Sequence, residues 1–134
     1  FQYWDPEHRW RQRDFEKYGL VLWGDDTFIS GEARLIGPLV KYYRTTGYGP
    51  AFELALVMKE KAIREFFHAA GEYDAEKFGT HMHSVTCVLS SLAELADLTC
   101  DSTLMARVRA FYNNGMWPHR DEVGWVAMNS ISSE

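Results

Sequence analysis

Two short polar segments carry the side chains whose types could do chemistry. One is Trp23-Gly24-Asp25-Asp26-Thr27 and the other is His81-Met82-His83. A carboxyl group beside an aromatic side chain can have its pKa raised enough to donate a proton, so Asp25 or Asp26 is a candidate general acid or base. The competing interpretation is that one of these aspartates only caps the helix that follows, because Asp is common at that position.

The two histidines are candidates for contact with a polar substrate. Imidazole can donate and accept hydrogen bonds, so His81 or His83 could bind sugar hydroxyl groups, or it could act only as a cap at a helix start. A metal is the weaker interpretation, because no third ligand stands at a diagnostic spacing from the pair. We therefore predict neither a metal nor another cofactor.

Aromatic side chains could supply flat surfaces for sugar rings. Trp23 and Trp125 each adjoin a glycine in an expected loop, which makes them the better candidates for stacking. Trp117 belongs to the same aromatic set and admits either a binding or a core role. Tyr42 and Tyr43 are expected in the core, and so is the small apolar side chain of Cys87.

Four helices must position these segments. Apolar residues at steps of three and four predict a first helix from a cap at Ser30 to Thr46 and a second from Pro50 to about Ala70. The second should be an outer helix, because it carries a charged face of Lys59, Glu60, Lys61 and Glu65. A third, deeply buried helix runs from the histidines to Cys100, and a fourth begins at the cap Asp101 and ends at Asn113-Asn114-Gly115. Residues 1–18 and 72–80 are expected to be loops, the first with room for one short helical stretch.

These helices form pairs that repeat at an offset of 53 residues. Self-similarity at such a period is typical of a stacked supersecondary unit. The offset places apolar residues on apolar residues and turns on turns, namely Leu35, Ile36 and Leu39 on Val88, Leu89 and Leu92, and Thr46 and Gly47 on Thr99 and Cys100. The units are about 25–77 and 78–130, so residues 1–134 form one helical-hairpin domain or a fragment of a larger one. The loops with Asp25 and His81 should then lie at one end.

Three segments resemble the six-hairpin glycosidases, whose (α/α) toroids are rings of helical hairpins. Trp23–Phe28 is similar to the Trp-x-Asp-Asp segment of the unsaturated glucuronyl hydrolase type, and the stretches 39–47 and 92–101 are similar to the Thr-Gly hairpin turns of that superfamily. Cys100 and Tyr48 stand where the family's usual Gly and Asp would be. The resemblance implies a glycoside hydrolase-like enzyme of carbohydrate metabolism with an aspartate before an inner helix as general acid or base.

Composition narrows the partners. The chain has 134 residues and 14 basic against 19 acidic side chains, a net charge of -5, with no basic block of the kind that nucleic acid or an anionic membrane would attract. Its longest apolar run is far short of the roughly 20 residues of a membrane span. We therefore predict a soluble chain with a carbohydrate or other polar small molecule as partner. No signal peptide is visible, and the compartment stays open.

The sequence leaves alternatives to the enzyme. A non-enzymatic helical-repeat module could bind a protein on its aromatic rim, and a sugar isomerase or epimerase could use a histidine on the same fold. The chain begins at Phe1 without Met, which favours a segment of something longer. About two and a half units of the repeat fit in it, too few to close a ring. The rest of a longer chain, or further copies in a homo-oligomer, is therefore an expected partner.

Overall fold

Helices dominate the chain from residue 28 onward. The computed structural model describes residues 4–5, 9–10, 28–78, 81–124 and 126. In chain order, its helical elements are a 3-10 turn Glu32–Leu35, α1 Ile36–Thr46, α2 Gly49–Glu65, the single turn α3 Ala75–Phe78, α4 Met82–Thr99, α5 Ser102–Ala110, a π-helical segment Phe111–Met116 and a 3-10 turn Trp117–His119. The predicted helical class is confirmed for this part of the chain.

A two-residue antiparallel ladder pairs β1, Trp4–Asp5, with β2, Arg9–Trp10. Trp4 lies opposite Trp10, and Asp5 lies opposite Arg9. The expectation of loop or helix is wrong at these four positions. So short a pairing leaves too little of the two-residue alternation of a strand to be recognised in a sequence.

Local chemistry ends α1 and α4 and begins α5 where the sequence predicts. Gly47 and Cys100 follow the two helices with left-handed φ values of 69° and 53°, and the Gly47 amide donates to the Tyr43 carbonyl at 2.8 Å. The Leu104 amide donates to the Asp101 carboxylate at 2.9 Å, so Asp101 is the cap of α5.

Two predicted helix ends are wrong. Gly31, not Ser30, precedes the first helical turn, and α1 itself begins only at Ile36. The second helix stops at Glu65 instead of Ala70, because the amides of Phe66 and Phe67 both bond to the Ala62 carbonyl and the chain turns inward there. Packing of the two phenylalanine rings, which no helical period reveals, decides this end.

Helices α1 and α4 pack side by side in parallel. Lys41 pairs with Glu94 at 3.2 Å, and one turn further along Arg44 pairs with Asp97 at 2.6 Å. A step of three residues along α1 thus matches a step of three residues in the same direction along α4, which shows that the helices are parallel. The absent side chain of Gly37 permits the close approach, because a Cβ there would lie 2.6 Å from the Ser91 hydroxyl oxygen.

Each parallel helix carries an antiparallel partner. The two-residue turn Gly47-Tyr48 brings α2 back against α1, where the rings of Tyr43 and Phe52 stack at 4.7 Å. The turn Cys100-Asp101 brings α5 back along α4 in the same way. Side chains from all of these elements form one hydrophobic core, including Ile36, Val40, Ala55, Met58, Val85, Val88, Leu92, Leu95 and Leu104.

Three side chains on α1 and α2 depart from their predicted environments. Tyr42 is 53% exposed instead of buried, and Tyr43 is half-buried. Lys61, expected on the solvent face of α2, is only 8% exposed. Its ammonium group binds Glu65 at 2.9 Å and lies 5.6 Å from the centre of the Phe28 ring, so its charge stays paired while its stem is buried.

An aromatic cluster anchors the connection between the two hairpins. Phe67, Phe78 and Phe111 are buried with ring centres 4.7 to 5.2 Å apart, and Tyr73 stacks on Phe78 at 5.0 Å. The predicted polar loop 72–80 therefore contains the α3 turn and a core residue, Phe78. At Gly71, with φ of 74°, the backbone lies so close to Ala110 that a Cβ would overlap its carbonyl group.

Candidate functional site

The N-terminal ends of α1 and α4 lie at the same end of the fold. This follows from the parallel register of the two helices, and it is the arrangement expected for the segments that precede them. His81 precedes α4 directly. Trp23, Asp25, Asp26 and Trp125 lie outside the described residues, and the described chain resumes at Phe28, two positions after Asp26.

A cleft with charged and hydroxyl side chains in its lining opens between α1 and α4. We call it the α1–α4 cleft. It has a volume of about 590 Å³, within the range of small-molecule sites. Its lining includes three charged side chains and three hydroxyl groups, which come from Arg34, Lys41, Glu94, Ser30, Ser90 and Ser91, together with Gly31, Leu35, Gly37, Pro38 and Cys87.

Charge in the cleft is unevenly paired. The Lys41–Glu94 ion pair, 3.2 Å long, spans the two helices, and its carboxylate is the less exposed partner. Arg34 is half-buried, and among the described residues it has no ion-pair partner. A guanidinium group presents a rigid fork of donors that matches a carboxylate or a pair of hydroxyl groups. The cleft therefore offers a half-buried cation beside hydroxyl donors and acceptors.

Side chains on α4 form the floor of the cleft. The hydroxyl of the buried Ser91 donates to the Cys87 carbonyl at 2.8 Å, which satisfies that donor inside the helix. Cys87 itself is a free thiol and half-buried, so the expectation that it is a buried core residue is wrong. Its position on the cleft-lining side of α4 explains the partial exposure.

The two histidines lie in different surroundings. His81 is exposed, and its Nδ1 forms a 3.2 Å hydrogen bond with the hydroxyl of the buried Ser84. His83 lines a second cavity, of about 290 Å³, between α4 and the π-helical segment. The ring centres of the two histidines are 5.9 Å apart. The described lining of the α1–α4 cleft includes no histidine, so the structure does not bring them to it.

The cavity beside His83 is aromatic and apolar. Tyr112 and Trp117 are each almost half exposed, and their ring centres are 5.8 Å apart. The Arg120 guanidinium lies 3.8 Å from the centre of the Trp117 ring and donates to the Trp117 carbonyl at 2.6 Å. Because a cation already covers Trp117, this ring is a poorer platform for a sugar than its exposure suggests.

In the described part of the chain, no three His, Cys, Asp or Glu side chains come together as a set that could hold a metal ion. Over the same residues, every helix is too short or too polar to cross a membrane.

Sequence reasoning missed the residues that line the cleft. Arg34 lies in no motif of the sequence, and the hairpin-turn stretches 39–47 and 92–101 assign no role to Lys41 or Glu94. The three side chains meet only because α1 and α4 are neighbours. One signal was present: the offset of 53 residues relates Lys41 to Glu94 and Arg44 to Asp97, two pairs of opposite charge. Opposite charges at equivalent positions of two helices indicate that the helices lie next to each other.

Comparison of the chain with protein-family models, with curated proteins and with solved structures finds no match.

Proposed function

We propose that this chain is an arc of an (α/α) toroid built on the repeat of 53 residues, and that its α1–α4 cleft binds a carbohydrate. Three features support the repeat. Helices α1 and α4 are parallel, both end in a left-handed residue, and α2 and α5 begin at equivalent positions, Gly49 and Ser102. Parallel neighbouring helices, each followed by an antiparallel one, are what stacked hairpins require.

The observation that carries the binding proposal is the composition of the cleft. The hydroxyl groups, the apolar side chains and the half-buried cation of the cleft suit a sugar, which presents many hydroxyl groups and few apolar faces. The cations Arg34 and Lys41 favour an acidic sugar, because a uronate carboxylate would accept charge-assisted hydrogen bonds from them. We therefore place a uronate-containing oligosaccharide in the cleft.

The proposed chemistry is glycoside hydrolase-like. Asp25 or Asp26, which precede the cleft residue Ser30 in the sequence, would give its proton to the glycosidic oxygen as the bond to the anomeric carbon breaks. Water would supply the hydroxyl group for that carbon, and its remaining proton would restore the acid. This role depends on one of the two aspartates being free of helix capping.

Calorimetric titration of the full chain with uronate oligosaccharides and with neutral ones of equal length tests the binding step. We expect binding of the acidic sugars, weakened about tenfold or more by Arg34→Gln or Lys41→Gln, since one charge-assisted hydrogen bond is worth about 1.5–3 kcal/mol. Lys77→Gln is the matched control, because Lys77 is exposed and pairs only locally with Asp74. Equal losses in Lys41→Gln and Lys77→Gln would contradict a site in the cleft.

Cleavage of the same oligosaccharides tests the catalytic step separately. Asp25→Asn and Asp26→Asn should leave sugar binding in place, and one of them should abolish release of reducing ends. Full turnover in both variants would remove the catalytic role of these aspartates without touching the binding proposal.

A further inference from the structure

We propose that copies of this chain associate head to tail, with the α1 face of one copy seated in the open groove between α4 and α5 of the next. The inference rests on the repeat within the proposed function and does not require that the cleft bind a carbohydrate. It follows from comparing, position by position, the faces that α1 and α4 bury with the faces that they leave open.

The groove between α4 and α5 is an unfilled apolar surface. It has a volume of about 350 Å³, and its mostly apolar walls are formed by Leu89 and Ala93 on α4 and by Val108, Tyr112 and Met116 on the opposite side. We call it the α4–α5 groove. Tyr112 and Met116 also line the cavity beside His83, so the apolar surface continues to the N-terminal end of α4.

This groove is the equivalent of the surface that α4 covers on α1. Helix α1 meets α4 through the face that contains Gly37 and the fully buried Val40. The offset of 53 residues carries these two positions to Ser90 and Ala93, and both line the α4–α5 groove. The face that α1 uses to hold a parallel helix is therefore present on α4, without a helix on it among the described residues.

A second face of α1 is open in the complementary way, and it borders the α1–α4 cleft, whose lining includes Leu35 and Pro38. Leu35 and Tyr42 are 42% and 53% exposed, and Pro38 between them on the same helical face is exposed too. Their equivalents on α4 are Val88, Ser91 and Leu95, which are almost completely buried, with Ser91 at the contact with Gly37. Helix α1 thus exposes the face by which α4 binds its neighbour.

Charge identifies the occupant of the groove as a second copy. At the junction inside the chain, α1 supplies Lys41 and Arg44 while α4 supplies Glu94 and Asp97. A second copy whose α1 lies parallel to α4 would bring its own Lys41 and Arg44 beside Glu94 and Asp97. The signs then alternate along the whole row of helices, so each junction is attractive and in the same register.

Sedimentation velocity of the full chain over a range of concentrations tests the proposal with two single-face variants. Tyr42→Glu disables the α1 face and leaves the groove intact, whereas Ala93→Glu disables the groove and leaves the α1 face intact. Neither residue lines the α1–α4 cleft. Val123→Glu is the matched control, because Val123 is 83% exposed and lies on neither face.

We expect concentration-dependent association of the wild type and of Val123→Glu, and a dissociation constant about tenfold higher or more for each single-face variant. An equimolar mixture of Tyr42→Glu and Ala93→Glu should form a species with the mass of two chains, because one intact junction remains. Circular dichroism of each variant verifies its fold, and the wild-type result stands without the variants.

Three results would overturn the inference: a wild-type chain that stays monomeric at every concentration, dimers that persist in Tyr42→Glu, or a mixture of the two variants that stays monomeric. The second result would mean a symmetric contact through the groove instead of a head-to-tail one. A monomer that still binds uronate oligosaccharides would end this proposal and leave carbohydrate binding standing, and an oligomer that binds none would do the reverse.

Discussion

Gly71 is the residue at which backbone conformation and packing together leave least freedom. Its φ is 74°, and a Cβ would overlap the carbonyl group of Ala110, whereas Gly47, with a φ of 69°, has open space around the same position. Two glycines with similar conformations therefore differ only in their surroundings. A sequence shows the glycines but not which of them another segment approaches.

Gly71→Ala should lower the free energy of unfolding by about 2–4 kcal/mol, because it adds overlap with Ala110 to the cost of a left-handed alanine. Gly47→Ala, which meets only the conformational cost, should lose about 1 kcal/mol. Urea denaturation measures both. Equal losses of unfolding free energy in the two variants would show that the backbone at Gly71 does not pack on Ala110 of α5 as described.

Tyr73 makes stability depend on pH at the alkaline end. Burial raises the pKa of Tyr73 from 10.0 to about 12, so the folded chain holds the phenolic proton more tightly than the unfolded chain does. The stability that this provides is complete below pH 10 and is lost as the pH rises toward 12. Tyr73→Phe should flatten the fall of the unfolding free energy between these values, as followed by urea denaturation at each pH. An unchanged slope would mean that the hydroxyl is solvated.

Helix ends are the elements that the sequence predicts well when the chemistry is local. Gly47 ends α1 and Asp101 begins α5, because a left-handed glycine and a capping carboxylate act within a few residues. The end of α2 depends instead on where Phe66 and Phe67 pack, and the burial of Lys61 depends on Glu65 and Phe28. Such contacts leave no periodic trace in the sequence.

Removal of the α5 cap tests this element directly. Asp101→Ala should lower the free energy of unfolding by about 0.5–2 kcal/mol, because the Leu104 amide loses its 2.9 Å acceptor. Ser102→Ala, at the exposed first position of the helix, is the control and should change stability little. Thermal unfolding of both variants measures the difference. A harmless Asp101→Ala would show that solvent caps the helix equally well.

At the scale of the whole molecule, the sequence predicts the helices and their ends but not the cleft. Apolar periodicity and turn residues indicate that the helices end near Gly47 and Cys100. The meeting of Arg34, Lys41 and Glu94 requires α1 and α4 to lie side by side, a property of packing. The aspartates that the sequence favours, Asp25 and Asp26, lie outside the described residues and remain predictions.

We propose that sugar binds in the α1–α4 cleft and not in the aromatic cavity beside His83. The two lie on different sides of α4: one is lined by Ser90 and Glu94 with α1, and the other by Thr86 and Met82 with the π-helical segment. Backbone amide signals from these residues therefore distinguish the two sites within one helix.

The most direct measurement is the chemical-shift change of backbone amides on titration with a uronate oligosaccharide. We predict saturable changes at Arg34, Lys41, Ser90 and Glu94, with little change at Trp117. Changes confined to His83, Tyr112 and Trp117, or no saturable change anywhere, would contradict carbohydrate binding in the α1–α4 cleft.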